Sequence, residues 1–215
     1  MNTMLGSGST GTPVGVVRFA VTSGGALVAL GFEQQWDALA GRLARRYGPV
    51  SFEATPAAGC IAVAVDAYLA GDLSALDALE VDAGGTAFQR RVWAALRVIP
   101  VGSTRSYADV ARAIGAPRAV RAVGAANAAN PVSIVVPCHR VIGRDGLLRG
   151  YAGGLRRKQW LLVHEQALTL PRQPPSPASV ASAMRHTPIP LQPGDGAGQS
   201  AFEAHVLEQN VPRTL

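Results

Sequence analysis

Residues 106–127 read SYADVARAIGAPRAVRAVGAAN and predict two short helices joined by a tight turn. Gly115 favours the left-handed backbone conformation that ends the first helix. Pro117 suits the first turn of the second helix, which we expect over residues 117–128. Two short helices around a glycine-containing turn form a helix-turn-helix pattern, which also occurs as a helical hairpin in proteins that do not bind DNA.

The second of these helices has an unusual composition. It carries Arg118 and Arg121 but no acidic residue, and small residues such as Ala122 and Gly124 make up most of the rest. Small side chains let a helix backbone come close to another surface. Burial inside a core is the alternative, but the arginines favour contact with DNA, and we expect Asn127 to share that contact.

The charge distribution points the same way. The chain has 215 residues, a net charge of +6 and a pI of about 10.1. Residues 103–160 contain ten Arg and Lys but only two acidic residues, which leaves the rest of the chain slightly acidic. A charged run is usually a solvated face, yet this excess lies beside a candidate nucleophile. An anionic partner, DNA, is therefore favoured.

The first third of the chain predicts a small α/β unit. Two strands are expected over residues 14–21 and 26–32, on either side of a hairpin turn. Apolar residues at helical spacing predict a helix over residues 36–47, and a second helix is expected over residues 58–69. Cys60 lies near the start of that second helix, and we interpret it as a small buried apolar residue.

Two more helices follow. Thr86 and Gln89 form a capping-box pattern at the start of one, after a linker over residues 74–85. The last helix is expected over residues 155–166, with basic residues early and Glu165 late. That order opposes the helix dipole, which suggests that function holds these residues in place.

We therefore expect four parts. Residues 1–11 are a flexible N-terminus, and residues 12–80 form an α/β N-terminal domain with a small antiparallel sheet plus helices. Residues 81–170 form a mainly α, winged-helix-like helix-turn-helix C-terminal domain. Residues 171–215 hold eight of the fifteen prolines and are expected to be a disordered tail.

Cys138 is the candidate nucleophile. A thiol attacks as thiolate, which neighbouring cations and a histidine base favour. His139 and Arg140 follow Cys138 directly, and Glu165 is the best acceptor in this segment to orient the histidine. Taken alone, these residues leave three readings open: an active nucleophile, a thiol hydrolase and an inert buried cysteine.

Other site types find little support. No Cys-x-x-Cys pair or His/Cys cluster exists, so we expect neither a metal nor another cofactor. The two cysteines, Cys60 and Cys138, are expected to be reduced rather than paired. No apolar run is long enough to span a membrane, and the N-terminus does not resemble a secretory signal. We therefore expect a cytoplasmic protein.

Ordered motifs make the segment from Phe88 to Glu165 resemble the O6-alkylguanine-DNA alkyltransferases, and the likeness extends over residues 12–168. The motifs are Thr86-Ala87-Phe88-Gln89 with Val92-Trp93, Ser106-Tyr107, Arg121-Ala122-Val123-Gly124, Asn130-Pro131, Pro137-Cys138-His139-Arg140-Val141-Ile142, Gly150-Tyr151-Ala152-Gly153-Gly154 and Leu161-Leu162-Val163-His164-Glu165.

The resemblance implies roles for the catalytic residues. Cys138 accepts the alkyl group and keeps it as a thioether. His139, oriented by Glu165, generates the thiolate through a water molecule. Asn130 braces the turn that carries Cys138, and Tyr107 helps to protonate the leaving guanine and to rotate the nucleotide.

It also implies how DNA is bound. Arg121 fills the gap left by the extruded base, and the same helix contacts the minor groove. The backbone carbonyls of Cys138 and Val141 read the guanine amino group, and Tyr151 lines the alkyl pocket. Ala152 stands where the eukaryotic pattern often has serine, so a hydroxyl contact is absent there although the backbone N–H remains.

The implied protein is a monomer that repairs double-stranded DNA. It moves alkyl groups from O6 of guanine, with O4 of thymine as a second candidate, to its own cysteine in a single turnover. Two alternatives stay open: a lesion-binding module without transfer activity, and a thiol hydrolase with multiple turnover.

Overall fold

The computed structural model describes residues 2–168. A four-stranded sheet opens the chain, with the order β3-β2-β1-β4. Its strands are β1 (Thr3–Thr12), β2 (Gly15–Val21), β3 (Leu27–Phe32) and β4 (Val50–Glu53). The predicted hairpin is confirmed as β2 and β3. The expectation of an antiparallel sheet is wrong in one place, because β4 pairs with β1 in parallel.

The expectation of a flexible N-terminus over residues 1–11 is also wrong. Strand β1 pairs with β4 through Thr3–Gly6 and with β2 through Gly6–Thr12, so each of its residues has a partner strand. Its small residues read as a flexible segment, but the glycines serve close packing. A Cβ on Gly8 would lie 2.7 Å from the Phe19 ring, and one on Gly6 would lie 2.2 Å from Thr55 Oγ1. Both positions therefore require a residue without a side chain.

Two helices flank the sheet. The predicted helix over residues 36–47 is confirmed as α1 (Trp36–Tyr47), and α2 (Pro56–Leu69) begins two residues before its predicted start. Helix α1 packs on one face of the sheet through Trp36, Leu39 and Leu43. Helix α2 joins the core on the other face.

Three helices form the helix-turn-helix half. They are α3 (Ala87–Arg97), α4 (Tyr107–Ala113) and α5 (Val120–Ala128). The capping box of Thr86 and Gln89 is confirmed, and Gly115 is left-handed with φ of 68°. Helix α5 starts at Val120 rather than at Pro117, because the preceding residues form a separate turn in which Ala119 N–H bonds to the Ala116 carbonyl.

The two halves share one core. Phe19 and Phe32 from the sheet belong to the same buried cluster as Trp93 and Val123 from the helices. On the backbone, Leu30 N–H donates to the Pro131 carbonyl at 2.9 Å, and its own carbonyl accepts from Ser133 N–H at 2.7 Å. Strand β3 therefore holds the segment that leads to Cys138. The described residues fall within one compact unit, Met1–Leu170.

The remaining elements are short. Strands β5 (Arg105–Ser106) and β6 (Val141–Ile142) pair in parallel and join the helix-turn-helix to the segment after Cys138. The last helix is α6 (Leu155–His164). Across residues 2–168, no helix has the length and apolar character needed to cross a bilayer. The expected tail over residues 171–215 lies outside the described residues.

Candidate active site

Cys138 lies at the end of a fully buried segment, residues 131–140. It begins a single 3-10 turn, Cys138–Arg140. Asn130 supports the approach to this turn from both sides, since its Nδ2 donates to the Val136 carbonyl at 2.8 Å and its Oδ1 accepts from Val132 N–H at 3.0 Å. Ile134 has φ of 70°, a conformation unfavourable for a β-branched residue. The surrounding bonds hold this strained segment in place.

Asn127 is the residue whose position differs most from expectation. We expected Asn127 to contact DNA together with other residues of its helix. It is buried instead, with 3% of its surface exposed. Its Nδ2 donates to the Cys138 carbonyl at 3.3 Å. The cause is its phase on α5, because it lies on the inward side with Val123 and Ala126. Asn127 therefore holds the backbone of Cys138, the candidate nucleophile.

Glu165 is the centre of a buried polar network. Its carboxylate accepts hydrogen bonds from Tyr68 Oη at 2.8 Å and His139 Nε2 at 3.0 Å. Arg140 adds two more, from Nε and Nη2, each at 2.8 Å. Burial alone would raise the pKa of Glu165, but the bonds from Arg140 and His139 outweigh it and hold the pKa far below its usual range. Glu165 is therefore a carboxylate at neutral pH.

The carboxylate determines the state of His139. Because it accepts from Nε2, that nitrogen carries the proton, and Nδ1 is the basic one. His139 Nδ1 is buried and has no hydrogen-bond partner among the described residues. Burial lowers the pKa of His139 despite the nearby carboxylate. The ring is therefore neutral at rest and offers Nδ1 as a proton acceptor.

Cys138 itself is a thiol at rest. Burial raises its pKa, while the Asn130 side chain and the charge of Lys158 act in the opposite direction. Arg140, its neighbour in sequence, directs its guanidinium to Glu165 instead. The cation that acts on the sulfur is thus Lys158 and not the adjacent arginine.

Lys158 lies in the site, although the sequence did not predict a role for it. It is fully buried, and its Nζ donates to the Val141 carbonyl at 2.5 Å and to the Arg149 carbonyl at 2.7 Å. Burial lowers its pKa to about 8. The available signal was the basic start of α6, whose charge order opposes the helix dipole. Lys158 is the member of that run turned inward.

Tyr68 is a second missed residue. It lies on α2, in the other half of the chain, and is 1% exposed. Burial and the adjacent Glu165 carboxylate raise its pKa far above the usual value, so its hydroxyl stays protonated and donates. A tyrosine at an apolar helical position gives no sign of a partner 97 residues away, and no local pattern reveals it.

Two of the expected site residues, Tyr107 and Tyr151, lie near Cys138. Tyr107 is half-buried, and its hydroxyl contacts the carbonyls of Arg149 at 3.2 Å and Gly150 at 3.3 Å. Tyr151 has a buried hydroxyl without a partner among the described residues. The charge of Cys138 contributes to a raised pKa in both tyrosines, after burial. Ala152 is exposed at the rim.

Most of the residues expected to contact DNA are exposed on α5 or in the turn before it. Arg121 and Ala122 are exposed, as is Arg118 in the preceding turn, while Gly124 is half-exposed. A Cβ on Gly124 would lie 4.0 Å from the Tyr107 ring. The small-residue face of α5 is therefore directly beside Tyr107.

The second cysteine corrects another expectation. Cys60 is exposed rather than buried, because it lies on the solvent side of α2. Both cysteines are free thiols.

Known proteins with similar sequences and structures agree with this geometry. Residues 87–167 match the family model of the 6-O-methylguanine DNA methyltransferase, DNA binding domain. A methylated-DNA–protein-cysteine methyltransferase of Salmonella typhimurium is 48% identical over 161 residues, which are 74% of this chain and 94% of that protein. One from Mycobacterium tuberculosis is 52% identical over 128 residues, 58% of this chain and 77% of the relative.

Solved structures extend the likeness to both halves. The crystal structure of Mycobacterium tuberculosis OGT in complex with DNA has a TM-score of 0.61 at 39% identity, covering 75% of this chain and 93% of that one. The O6-methylguanine-DNA methyltransferase of Pyrococcus kodakaraensis has a TM-score of 0.59 at 31% identity, covering 75% and 99%. This chain belongs to the methylated-DNA–protein-cysteine methyltransferase family.

Proposed function

We propose that this protein repairs double-stranded DNA by moving the alkyl group of O6-alkylguanine onto Sγ of Cys138. The observation that carries the proposal is the buried His139–Glu165 pair next to Cys138, with Nδ1 of His139 left as the basic atom. Membership of the family and the exposed arginines of the helix-turn-helix support DNA as the substrate.

The proton path follows from the tautomer of His139. The thiol proton of Cys138 passes through a water molecule to His139 Nδ1, because no hydrogen bond joins the two side chains directly among residues 2–168. The resulting imidazolium is stabilised by the Glu165 carboxylate at 3.0 Å. Lys158 stabilises the thiolate. The relay therefore supplies the thiolate only when needed, from a resting thiol.

Transfer is a nucleophilic displacement at the alkyl carbon. The thiolate forms the new S–C bond, the C–O6 bond breaks, and its electron pair goes to the purine. The guanine then takes up a proton from Tyr107, and the imidazolium of His139 gives up its proton to solvent while Tyr107 regains one, so that both side chains end neutral. The product is a thioether, which water does not hydrolyse, so each protein molecule reacts once. O4-alkylthymine carries a comparable alkyl–oxygen bond and is the second candidate substrate.

Access to Cys138 requires base flipping. Only 4% of its surface is exposed, and O6 lies inside the duplex, so the nucleotide must be extruded at a cost of a few kcal/mol. Helix α5 offers a small-residue face for the minor groove, and Arg121 is exposed on it to fill the gap in the stack. Phosphate contacts from arginines suit a lesion that occurs in any sequence.

Recognition of the base uses carbonyls that are already oriented. The Cys138 carbonyl is held by Asn127 and the Val141 carbonyl by Lys158. The Cys138 carbonyl also accepts from the Val141 N–H. We assign both carbonyls to the recognition of the guanine amino group. Tyr151 bounds the alkyl group on the side away from the base.

The test is a peptide mass measurement after incubation with a duplex that contains one O6-methylguanine. We expect the peptide with Cys138 to gain one methyl group, up to one equivalent per protein, and the Cys138→Ser variant to gain none. Cys60 is a control within the same molecule, since it is an exposed thiol without the relay. An unmodified Cys138 in protein bound to the duplex, or methyl on both cysteines, would contradict the proposal.

A further inference from the structure

A second cationic region lies outside the site described so far. A cleft of about 710 Å³ separates α1 from the start of α3. Its floor is apolar, with Leu39, Leu43 and Trp93 among the lining residues. Its walls carry the guanidinium groups of four arginines, Arg42, Arg45, Arg46 and Arg90. No acidic residue lines the cleft within the described part of the chain.

Most of this charge is not neutralised. Arg46 is paired with Asp82 at 2.5 Å. Arg42 and Arg90 bond only to backbone carbonyls, those of Ala129 and Gly85. No ion pair within residues 2–168 involves Arg42, Arg45 or Arg90. Three cations around one cleft favour an anionic occupant.

The cleft is continuous with the DNA surface of α5. Arg42 Nη1 donates to the Ala129 carbonyl at 2.8 Å, at the C-terminal end of that helix. Ala129 and Pro131, which follow α5, also line the cleft. A helix C-terminus carries partial negative charge and repels phosphate. The guanidinium of Arg42 offsets that charge where the exposed face of α5 ends.

The opposite wall is equally suited to phosphate. Gly85, Gln89 and Arg90 line it at the start of α3, whose N-terminus carries partial positive charge. The N-terminus of α3 and three arginines without an acidic partner among residues 2–168 therefore meet at one place beside α5.

We propose that this cleft binds the phosphate backbone of the DNA strand that flanks the lesion, with Arg45 and Arg90 as the contacting residues and Arg42 as the link to α5. The proposal rests on the function proposed above. It extends the DNA interface from the helix-turn-helix onto α1 of the first half, a region whose overall charge is slightly acidic. The local cluster appears only in the fold, because Arg42 and Arg90 are distant in sequence.

The experiment measures the salt dependence of binding to a lesion-bearing duplex that extends beyond α5, by fluorescence anisotropy. Arg45→Gln, Arg90→Gln and the double variant are compared with wild type. Each lost phosphate contact lowers the slope of log K against log salt concentration by about 0.9, so the double variant should lose about 2. Its loss of reaction rate on the duplex should exceed any loss on free O6-benzylguanine.

Arg18→Gln is the matched control. It removes one charge from an arginine that pairs with Glu33 and does not line the cleft, and its slope should equal that of wild type. An equal loss in Arg18→Gln, or an unchanged slope in the double variant while wild type binds and repairs DNA, would overturn the cleft proposal alone. A wild type that binds the duplex without any alkyl transfer would overturn the proposed function and leave the cleft proposal standing.

Discussion

The buried network around Glu165 and the exposed face of α5 have opposite physical properties. Around Glu165, every polar contact is buried, the carboxylate accepts four hydrogen bonds, and the pKa values of His139 and Cys138 move away from their ordinary values. On α5 and in the turn before it, Arg118, Arg121 and Ala122 are exposed. Proton transfer needs groups that are already oriented and shielded from water, whereas DNA recognition needs an accessible surface.

The two regions therefore fail in different ways. A buried charge that loses its partner remains desolvated without a compensating interaction, which lowers the free energy of unfolding. Because the same groups take part in proton transfer, the rate of alkyl transfer falls as well. An exposed arginine loses only the contact that DNA would have made. Separate measurements of unfolding, reaction with a free base and reaction with a duplex distinguish the two.

The largest effect is expected for Glu165→Gln. The change leaves Arg140 and His139 buried without their carboxylate, and breaking a buried pair costs about 3–5 kcal/mol. Urea unfolding should show this loss, and transfer to Cys138 should slow on free O6-benzylguanine as well as on the duplex. Asp145→Asn, which removes the exposed partner of Arg149, is the control and should leave unfolding nearly unchanged. Equal stability of the two variants would contradict a central role for Glu165.

The pH dependence of stability tests the same carboxylate. The pKa of Glu165 is lowered in the folded protein, so its contribution is fully present above the unfolded value, near 4.5, and is lost as the pH falls below it. The stability of wild type against urea should therefore fall progressively from about pH 5 downwards, and the fall should continue below pH 3 because the pKa in the folded protein lies far lower. In Glu165→Gln this acid-induced loss should be shallower. Parallel profiles for the two proteins would show that other carboxyl groups dominate.

A smaller effect is expected for Tyr68→Phe. It removes one hydrogen bond to a charged group, which contributes about 1.5–3 kcal/mol. Glu165 keeps its hydrogen bonds from Arg140 and His139, so transfer to Cys138 should slow without being abolished. The pH profile of the transfer rate should shift, because the carboxylate has lost one of the hydrogen bonds that fix it. Tyr68→Leu adds a cavity and should be less stable still. An unchanged pH–rate profile in Tyr68→Phe would show that Tyr68 contributes only packing.

Arg121→Ala should have the smallest effect on the protein itself. Arg121 is exposed, so unfolding should stay as in wild type. Repair of duplex DNA should fall roughly tenfold or more, because the flipped base costs a few kcal/mol that the inserted side chain helps to offset. Reaction with free O6-benzylguanine needs no flipping and should lose much less. Arg112→Ala, on the neighbouring helix, is a charge-matched comparison. Equal losses on both substrates would remove the intercalating role.

Local sequence patterns predicted several of the secondary-structure elements. The hairpin of β2 and β3, helix α1 and the capping box at Thr86 follow from alternation, helical spacing and capping chemistry, each of which acts within a few residues. The candidates Cys138, His139 and Glu165 came from residue chemistry and a family resemblance. Strand β1 was missed because its pairing partners, and not its own side chains, specify it.

The amino-acid sequence by itself determined the candidate nucleophile, the helix-turn-helix and the concentration of positive charge, since these depend on residue type and short spacing. Only the tertiary structure decided which groups meet. It turned Asn127 inward, directed Arg140 to Glu165 instead of Cys138, and brought Tyr68 and Lys158 into the site from other elements. The physical reason is that hydrogen bonds and charge interactions act over a few ångströms in space, whatever the separation along the chain.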